Sequence, residues 1–226
     1  MKAIVYNEIQ GIEEFEMSLI ETEIPGIGKN DVLVEIKAFA VNPVDLKIRS
    51  RRLPESTRGV ILGFDASGVI SQIGENVTRF NVGDDVFYSG EMNRDGCYAE
   101  FQAVAEDIIA KKPKNLSYSQ AAALPLASLT AFEAVIENKN YVNDHKILVI
   151  GGAGGVGSMA IQLLNKKTNA QIYTTASSEK SKNWIESLGI TNILDHSKLK
   201  EEIQKNDIGE FDTIFITNKT DHYYEL

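Results

Sequence analysis

The run Gly151-Gly152-Ala153-Gly154-Gly155-Val156-Gly157 carries the clearest chemistry in this sequence. Gly152, Gly154 and Gly157 satisfy G-x-G-x-x-G. The run follows an apolar stretch, Lys146 to Ile150, and opens an apolar-faced segment, Val156 to Lys167. In a strand–loop–helix setting the first glycine permits a tight turn and the second lets a pyrophosphate approach the backbone. The third lets helix and strand pack closely. The helix start adds free N–H groups and the positive end of the helix dipole. The chemistry is dinucleotide binding, with Gly152, Gly154, Gly155, Val156 and Gly157 as candidate contacts. A tight glycine turn without a ligand is the alternative.

The next apolar segment ends in Thr174-Thr175-Ala176-Ser177-Ser178-Glu179-Lys180-Ser181-Lys182. Folds that prefer NAD place an acid at this strand end, to bind the ribose 2′-hydroxyl. Here the residues are small and hydroxylic, with lysines following. A 2′-phosphate is welcomed by hydroxyls and cations. Ser177, Ser178 and Lys182 are therefore the expected 2′-phosphate contacts, and NADPH the expected cofactor. Lys180 and Lys182 also read as the solvated face of a helix.

The surrounding chain is acidic, with 23 basic and 32 acidic residues among 226 and a formal charge of -9. That balance argues against nucleic acid and against an anionic membrane surface as partner. Hydrophobic residues make up 43%, enough for real cores. Apolar runs such as Ile147 to Ile150 are far too short to span a bilayer. The single cysteine, Cys97, cannot form an internal disulfide, and a reducing cytoplasmic setting is expected.

Elements that would position the loop follow from the pattern. Lys2–Tyr6, Val32–Ala40, Gly68–Ile73, Asp85–Tyr88 and Tyr98–Val104 read as short strands separated by glycine turns. Ser117 reads as an N-cap, and Ala121–Asn138 as a helix interrupted by Pro125. From Lys146 the pattern alternates. Strands are expected at Lys146–Ile150, Ile172–Thr175, Ile193–Leu194 and Thr213–Ile216, with helices at Val156–Lys167, Ser178–Leu188 and Leu199–Lys205. Strands alternating with helices predict a parallel sheet.

An ordered set of motifs then carries a resemblance. Asn42-Pro43-Val44-Asp45-Leu46-Lys47, Gly63-Phe64-Asp65-Ala66-Ser67-Gly68, Val82-Gly83-Asp84-Asp85-Val86 and Gly96-Cys97-Tyr98-Ala99-Glu100-Phe101 occur in this order. Ala121 to Ala127, Thr130-Ala131 and the glycine loop follow. The chain resembles the medium-chain dehydrogenase/reductase superfamily, in its zinc-free quinone and enone reductase branch. Members are often labelled zinc-type alcohol dehydrogenase-like. The resemblance implies an α/β fold: a GroES-like β domain over residues 1–118, then an incomplete Rossmann doubly wound sheet over 119–226. It places the active site between the domains.

By that resemblance, Asn42 and Asp45 lie near the nicotinamide and Thr130 contacts the cofactor. Lys47 would stabilise an enolate or donate a proton, directly or through water. Asp45 also reads as a helix-capping residue and Lys47 as a solvated one. Tyr88 and Tyr98 read as pocket-lining or as core. The implied substrate is a small conjugated carbonyl compound or quinone.

No zinc is expected. Phe64-Asp65 stands where zinc alcohol dehydrogenases carry His-Glu, and Phe64 cannot ligate. The loop Gly90–Gly96 is too short for a four-cysteine lobe. His145, His196 and His222 lie outside the segments where the family places zinc.

Family members run roughly a hundred residues further, to complete a six-strand sheet. The chain therefore reads as C-terminally shortened, with Asp221–Leu226 opening a further helix. Thr213–Ile216 would be an exposed edge through which a homo-oligomer forms. The alternative function is a non-catalytic or weakly active nucleotide-binding protein.

Overall fold

The computed structural model describes residues 1–9, 11, 13, 16–54, 58–137 and 144–217. The expected helix opening at Asp221–Leu226 lies outside them. Contacts divide the chain into two compact units, Met1–Leu126 and Ala127–Leu226.

The first unit is antiparallel. Burial alternates residue by residue along Asp85–Ser89 and Phe101–Ala105, as in a half-buried sheet. In chain order its strands are β1 (Lys2–Tyr6), β2 (Ser18–Glu21), β3 (Asp31–Phe39), β4 (Val60–Ile61), β5 (Asp65–Ile73), β6 (Asp85–Ser89), β7 (Phe101–Ala105) and β8 (Ile109–Lys111). They form sheets of order β2-β1-β4 and β7-β3-β5-β6-β8. Val5, Tyr6, Val34, Ile61, Ile70 and Val86 are buried in one core drawn from both sheets. Each such side chain contributes on the order of 1.5–3 kcal/mol. The helix α1 (Pro43–Arg49) follows β3, and α2 (Tyr118–Ala122) packs on β3, β5 and β6.

Pairing moves several expected boundaries. β5 begins at Asp65, because Asp65, Ala66 and Ser67 pair with Ser89, Tyr88 and Phe87. These small and acidic residues have weak strand propensity, and the partner strand overrides it. The expected strand Tyr98–Val104 starts at Phe101. Its first residues instead stitch the two sheets together. Ile4 N–H donates to the Tyr98 carbonyl at 2.8 Å, and Ile36 N–H to the Glu100 carbonyl at 2.8 Å. β2, β4 and β8 are too short to show an alternation.

The second unit is a parallel sheet of β9 (Lys146–Ile150), β10 (Gln171–Ala176), β11 (Ile193–Asp195) and β12 (Thr213–Ile216), in the order β11-β10-β9-β12. Its helices are α3 (Pro125–Phe132, which begins in the first unit), α4 (Gly155–Lys167), α5 (Glu179–Ser187) and α6 (Leu199–Lys205). Ile147 and Val149 of β9 face a core with Ala160, Ile161 and Leu164 of α4 and Ile185 of α5. Leu148 and Ile150 face the opposite core with Leu194, Leu199 and Ile208. Burial on both faces explains the uninterrupted apolar run of β9.

The helix expected over Ala121–Asn138 is two helices and a π-turn. α2 ends at Ala122, α3 starts at Pro125, and Glu133–Glu137 closes in π geometry. Proline lacks the N–H and keeps the preceding residue out of helical backbone. By length and composition alone, Tyr118–Glu137 passes as a membrane span, with mean hydropathy 1.3. Its Ala121, Ala131 and Val135 are fully buried in the protein.

Candidate dinucleotide site

β9 delivers the chain to the glycine loop, and the loop turns at Gly151. Its φ is +86°, open to glycine and strained for other residues. The motif puts the tight turn on Gly152, one residue later than the structure does. Gly152 is barred from a side chain for a different reason: a Cβ there would sit 1.9 Å from Thr174 Oγ1. At Gly157 a Cβ would meet the Gly151 carbonyl oxygen at 2.1 Å, which is the close helix–strand packing the motif predicts.

β10 holds the loop from the side. Gly151 N–H donates to Thr175 Oγ1 at 3.0 Å. Thr174 Oγ1 donates to the Val149 carbonyl at 2.7 Å. These threonines act on the loop itself, a role that strand-end chemistry alone does not suggest. Their hydroxyls beside a double glycine were the available signal.

The N-cap of α4 is Gly154, which offers no side-chain cap. Gly154 N–H closes on the Gly151 carbonyl at 3.0 Å. The N–H groups of Gly155, Val156 and Gly157 occupy the first helical turn, where no intrahelical acceptor exists. Gly154 and Gly155 are exposed. An uncapped, exposed helix start with bare backbone fits a phosphate group.

A cavity of about 140 Å³ opens beside this turn. Gly151, Ala153 and Gly154 form one wall, and Thr175, Ala176, Ser177, Ser181 and His196 the rest. It therefore joins the loop to the end of β10. Of the expected 2′-phosphate contacts, Ser177 is in the wall. Ser178 is the N-cap of α5, accepting Ser181 N–H at 3.2 Å. Lys182 is half-buried on α5 and outside the wall. Ser181 and His196 are wall residues that the sequence motif did not single out. Only the fold brings the end of β11 beside that of β10. Thr130 is exposed on α3.

Asn42, Asp45 and Lys47 belong to the first unit. Asn42 caps α1. Its N–H donates to Asp45 Oδ2 at 2.7 Å, and its Nδ2 donates to Asp65 Oδ2 at 3.0 Å. Tyr98 Oη donates to Asp45 Oδ2 at 2.8 Å. Leu126 N–H donates to Asp65 Oδ1 at 2.9 Å. Both aspartates are buried. Burial pushes both carboxyls above their ordinary value, and the donors only partly oppose it. Asp45 thus fills the capping role. Lys47 is exposed. Tyr88 and Tyr98 are buried in the core. Tyr98 also borders a cavity of about 330 Å³ with Ile4, Ile36 and Phe39.

Cys97 is buried, and its thiol donates to the Asp65 carbonyl at 3.3 Å. Phe64 is buried. Among the described residues, no three His, Cys, Asp or Glu side chains cluster as metal ligands.

Residues 28–114 match the alcohol dehydrogenase GroES-like domain. The chain is 38% identical to a zinc-type alcohol dehydrogenase-like protein of Staphylococcus aureus, over 99% of this chain and 68% of that one. It is 34% identical to the chloroplastic NADPH-dependent alkenal/one oxidoreductase of Arabidopsis thaliana, over 97% of this chain and 58% of that one. Among solved structures it superposes on a quinone oxidoreductase of Pseudomonas syringae with a TM-score of 0.83. That pair shares 29% identity over 98% of this chain and 68% of the other. The chain thus spans between 58% and 68% of the length of these relatives.

Proposed function

Because the chain belongs to the medium-chain dehydrogenase/reductase superfamily, we propose that it is an oxidoreductase using NADPH to reduce a quinone or conjugated enone without zinc. The observation that carries this reading is the single cavity shared by the glycine loop and the hydroxylic end of β10.

Gly155, Val156 and Gly157 would hold the pyrophosphate by backbone N–H groups and the dipole of α4, with Gly154 leaving the approach clear of a side chain. The 2′-phosphate would lie against Ser177, with Ser178 and Lys182 nearby on α5. The cavity wall contains no acid, so no carboxylate there repels the phosphate. The name of the Arabidopsis relative supports the same cofactor. Thr130, exposed on α3, would contact the cofactor.

When bound, the nicotinamide supplies a hydride to the acceptor. The acceptor is already electrophilic, so the protein's part is positioning and hydrogen bonding to the developing oxyanion. Asn42 and Asp45 are the proposed catalytic residues. Lys47 is the candidate proton donor to an enolate oxygen. Phe64 where a ligand would be needed supports zinc independence.

A nucleotide-binding protein without turnover is the second reading. It is favoured by Asp45, which spends its Oδ2 on the α1 cap and on Tyr98.

The test is titration of the protein with NADPH and, separately, NADH, followed by nucleotide fluorescence. Preferential NADPH binding, then saturable NADPH oxidation with a quinone or enone in metal-free protein, is the expected result. Binding without oxidation by any acceptor favours the second reading. Binding of neither nucleotide overturns both.

A further inference from the structure

Trp184 is the only tryptophan in the chain. It lies on α5 and is 48% exposed. Its Nε1–H nevertheless points inward and donates to Ser158 Oγ at 2.9 Å. Ser158 is buried in α4, and its hydroxyl donates in turn to the Gly152 carbonyl at 3.1 Å. An indole on one helix is thereby linked to the glycine loop through one hydroxyl. The Ser158 oxygen both accepts and donates, so each bond polarises the other.

The consequence lies in the next peptide group. A trans peptide is planar, and its C=O and N–H point in opposite directions. No peptide bond among the described residues is cis. Drawing the Gly152 carbonyl in toward Ser158 therefore turns the Ala153 N–H outward. Ala153 lines the cavity beside the α4 N-terminus. Two flanking loop amides are committed elsewhere: Gly151 N–H to Thr175 and Gly154 N–H to the Gly151 carbonyl.

We infer that Trp184 and Ser158 are positioning residues for dinucleotide binding, aiming the Ala153 amide at the pyrophosphate by fixing the Gly152 carbonyl. This rests on the dinucleotide reading above. Neither side chain touches the ligand. A pre-aimed amide binds a phosphate oxygen without the ordering cost that a free peptide plane would carry.

The experiment compares the wild type with Trp184→Phe, Ser158→Ala and the double variant. Trp184→Phe keeps an aromatic ring and removes the donor. Each is titrated calorimetrically with NADPH and with adenosine 2′-monophosphate, which lacks a pyrophosphate. Thermal melts report the fold. Each single variant is expected to bind NADPH roughly three- to tenfold more weakly, the loss of one well-aimed hydrogen bond. Adenosine 2′-monophosphate affinity should be unchanged. The double variant should be no weaker than Ser158→Ala alone, since both act through one path. Unchanged NADPH affinity in both single variants overturns the inference. Equal weakening toward both ligands also overturns it, because that is general loosening of the fold. If wild type binds neither ligand, the dinucleotide reading itself falls.

Discussion

Asn42 Nδ2 donates to Asp65 Oδ2 at 3.0 Å, tying the start of α1 to the start of β5 across 23 residues of chain. Burial raises the Asp65 carboxyl above its ordinary value, and Asn42 is among the donors that favour its charged form. Asn42→Ala should cost about 1–3 kcal/mol, the penalty for under-satisfying a buried polar group. The sign with pH follows from linkage. A raised folded-state pKa means that charging Asp65 costs stability as pH rises through it. Removing a donor raises that pKa further. The loss should therefore be full above the raised value and shrink as pH falls below it, by urea denaturation.

Asp31 behaves in the opposite sense. Arg94 grips it with two bonds, Nη1 to Oδ1 at 3.0 Å and Nη2 to Oδ2 at 2.8 Å. The Arg94 hydrogen bonds hold its carboxyl below the ordinary value. Its stabilisation is present above the unfolded carboxylate pKa and lost as pH falls through the depressed folded value. Arg94→Leu should flatten the acid limb of the stability profile. The pair is partly exposed, so its worth is about 1 kcal/mol or less.

Gly157 and Gly155 should separate folding from binding. Gly157→Ala drives a Cβ into the Gly151 carbonyl and should destabilise by about 1–3 kcal/mol. At Gly155 the nearest atom to a Cβ is Ala127 Cβ at 3.9 Å. Gly155→Ala should keep or raise stability, by up to about 1 kcal/mol. Its methyl would crowd the phosphate side of the turn and weaken NADPH binding. Melting curves paired with nucleotide titrations read both effects.

Ser177→Asp tests cofactor choice. A carboxylate in the cavity wall would repel a 2′-phosphate and accept from ribose hydroxyls. NADPH affinity should fall tenfold or more, roughly one charge contact, with NADH affinity kept or improved. Equal loss of both would remove Ser177 from the 2′-phosphate site.

Cys97 should report opening of the first unit. Its thiol is fully buried, and burial pushes its pKa well up. A thiol reagent should label native protein only through unfolding fluctuations. Labelling should accelerate in Asn42→Ala in proportion to its lost stability. Fast labelling of the folded wild type would contradict the burial.

The sequence by itself determined the second unit almost completely. Strands Lys146–Ile150 and Thr213–Ile216 and helix Leu199–Lys205 stand where the pattern puts them. Parallel strands buried on both faces and helices with one apolar face write strong local periodicity. The glycine loop was legible because its requirement is steric: no Cβ fits at Gly152 or Gly157. Only the tertiary structure decided the rest. β4 is two residues long, and the Tyr98–Glu100 stitch depends on partners far along the chain. Ser181 and His196 join Ser177 in one wall because β11 lies beside β10, a pairing no local window contains. Trp184 reads from sequence as one more helix residue. Its reach to the Gly152 carbonyl exists only once α5 packs beside α4, because a hydrogen-bond path is set by distance in space rather than along the chain.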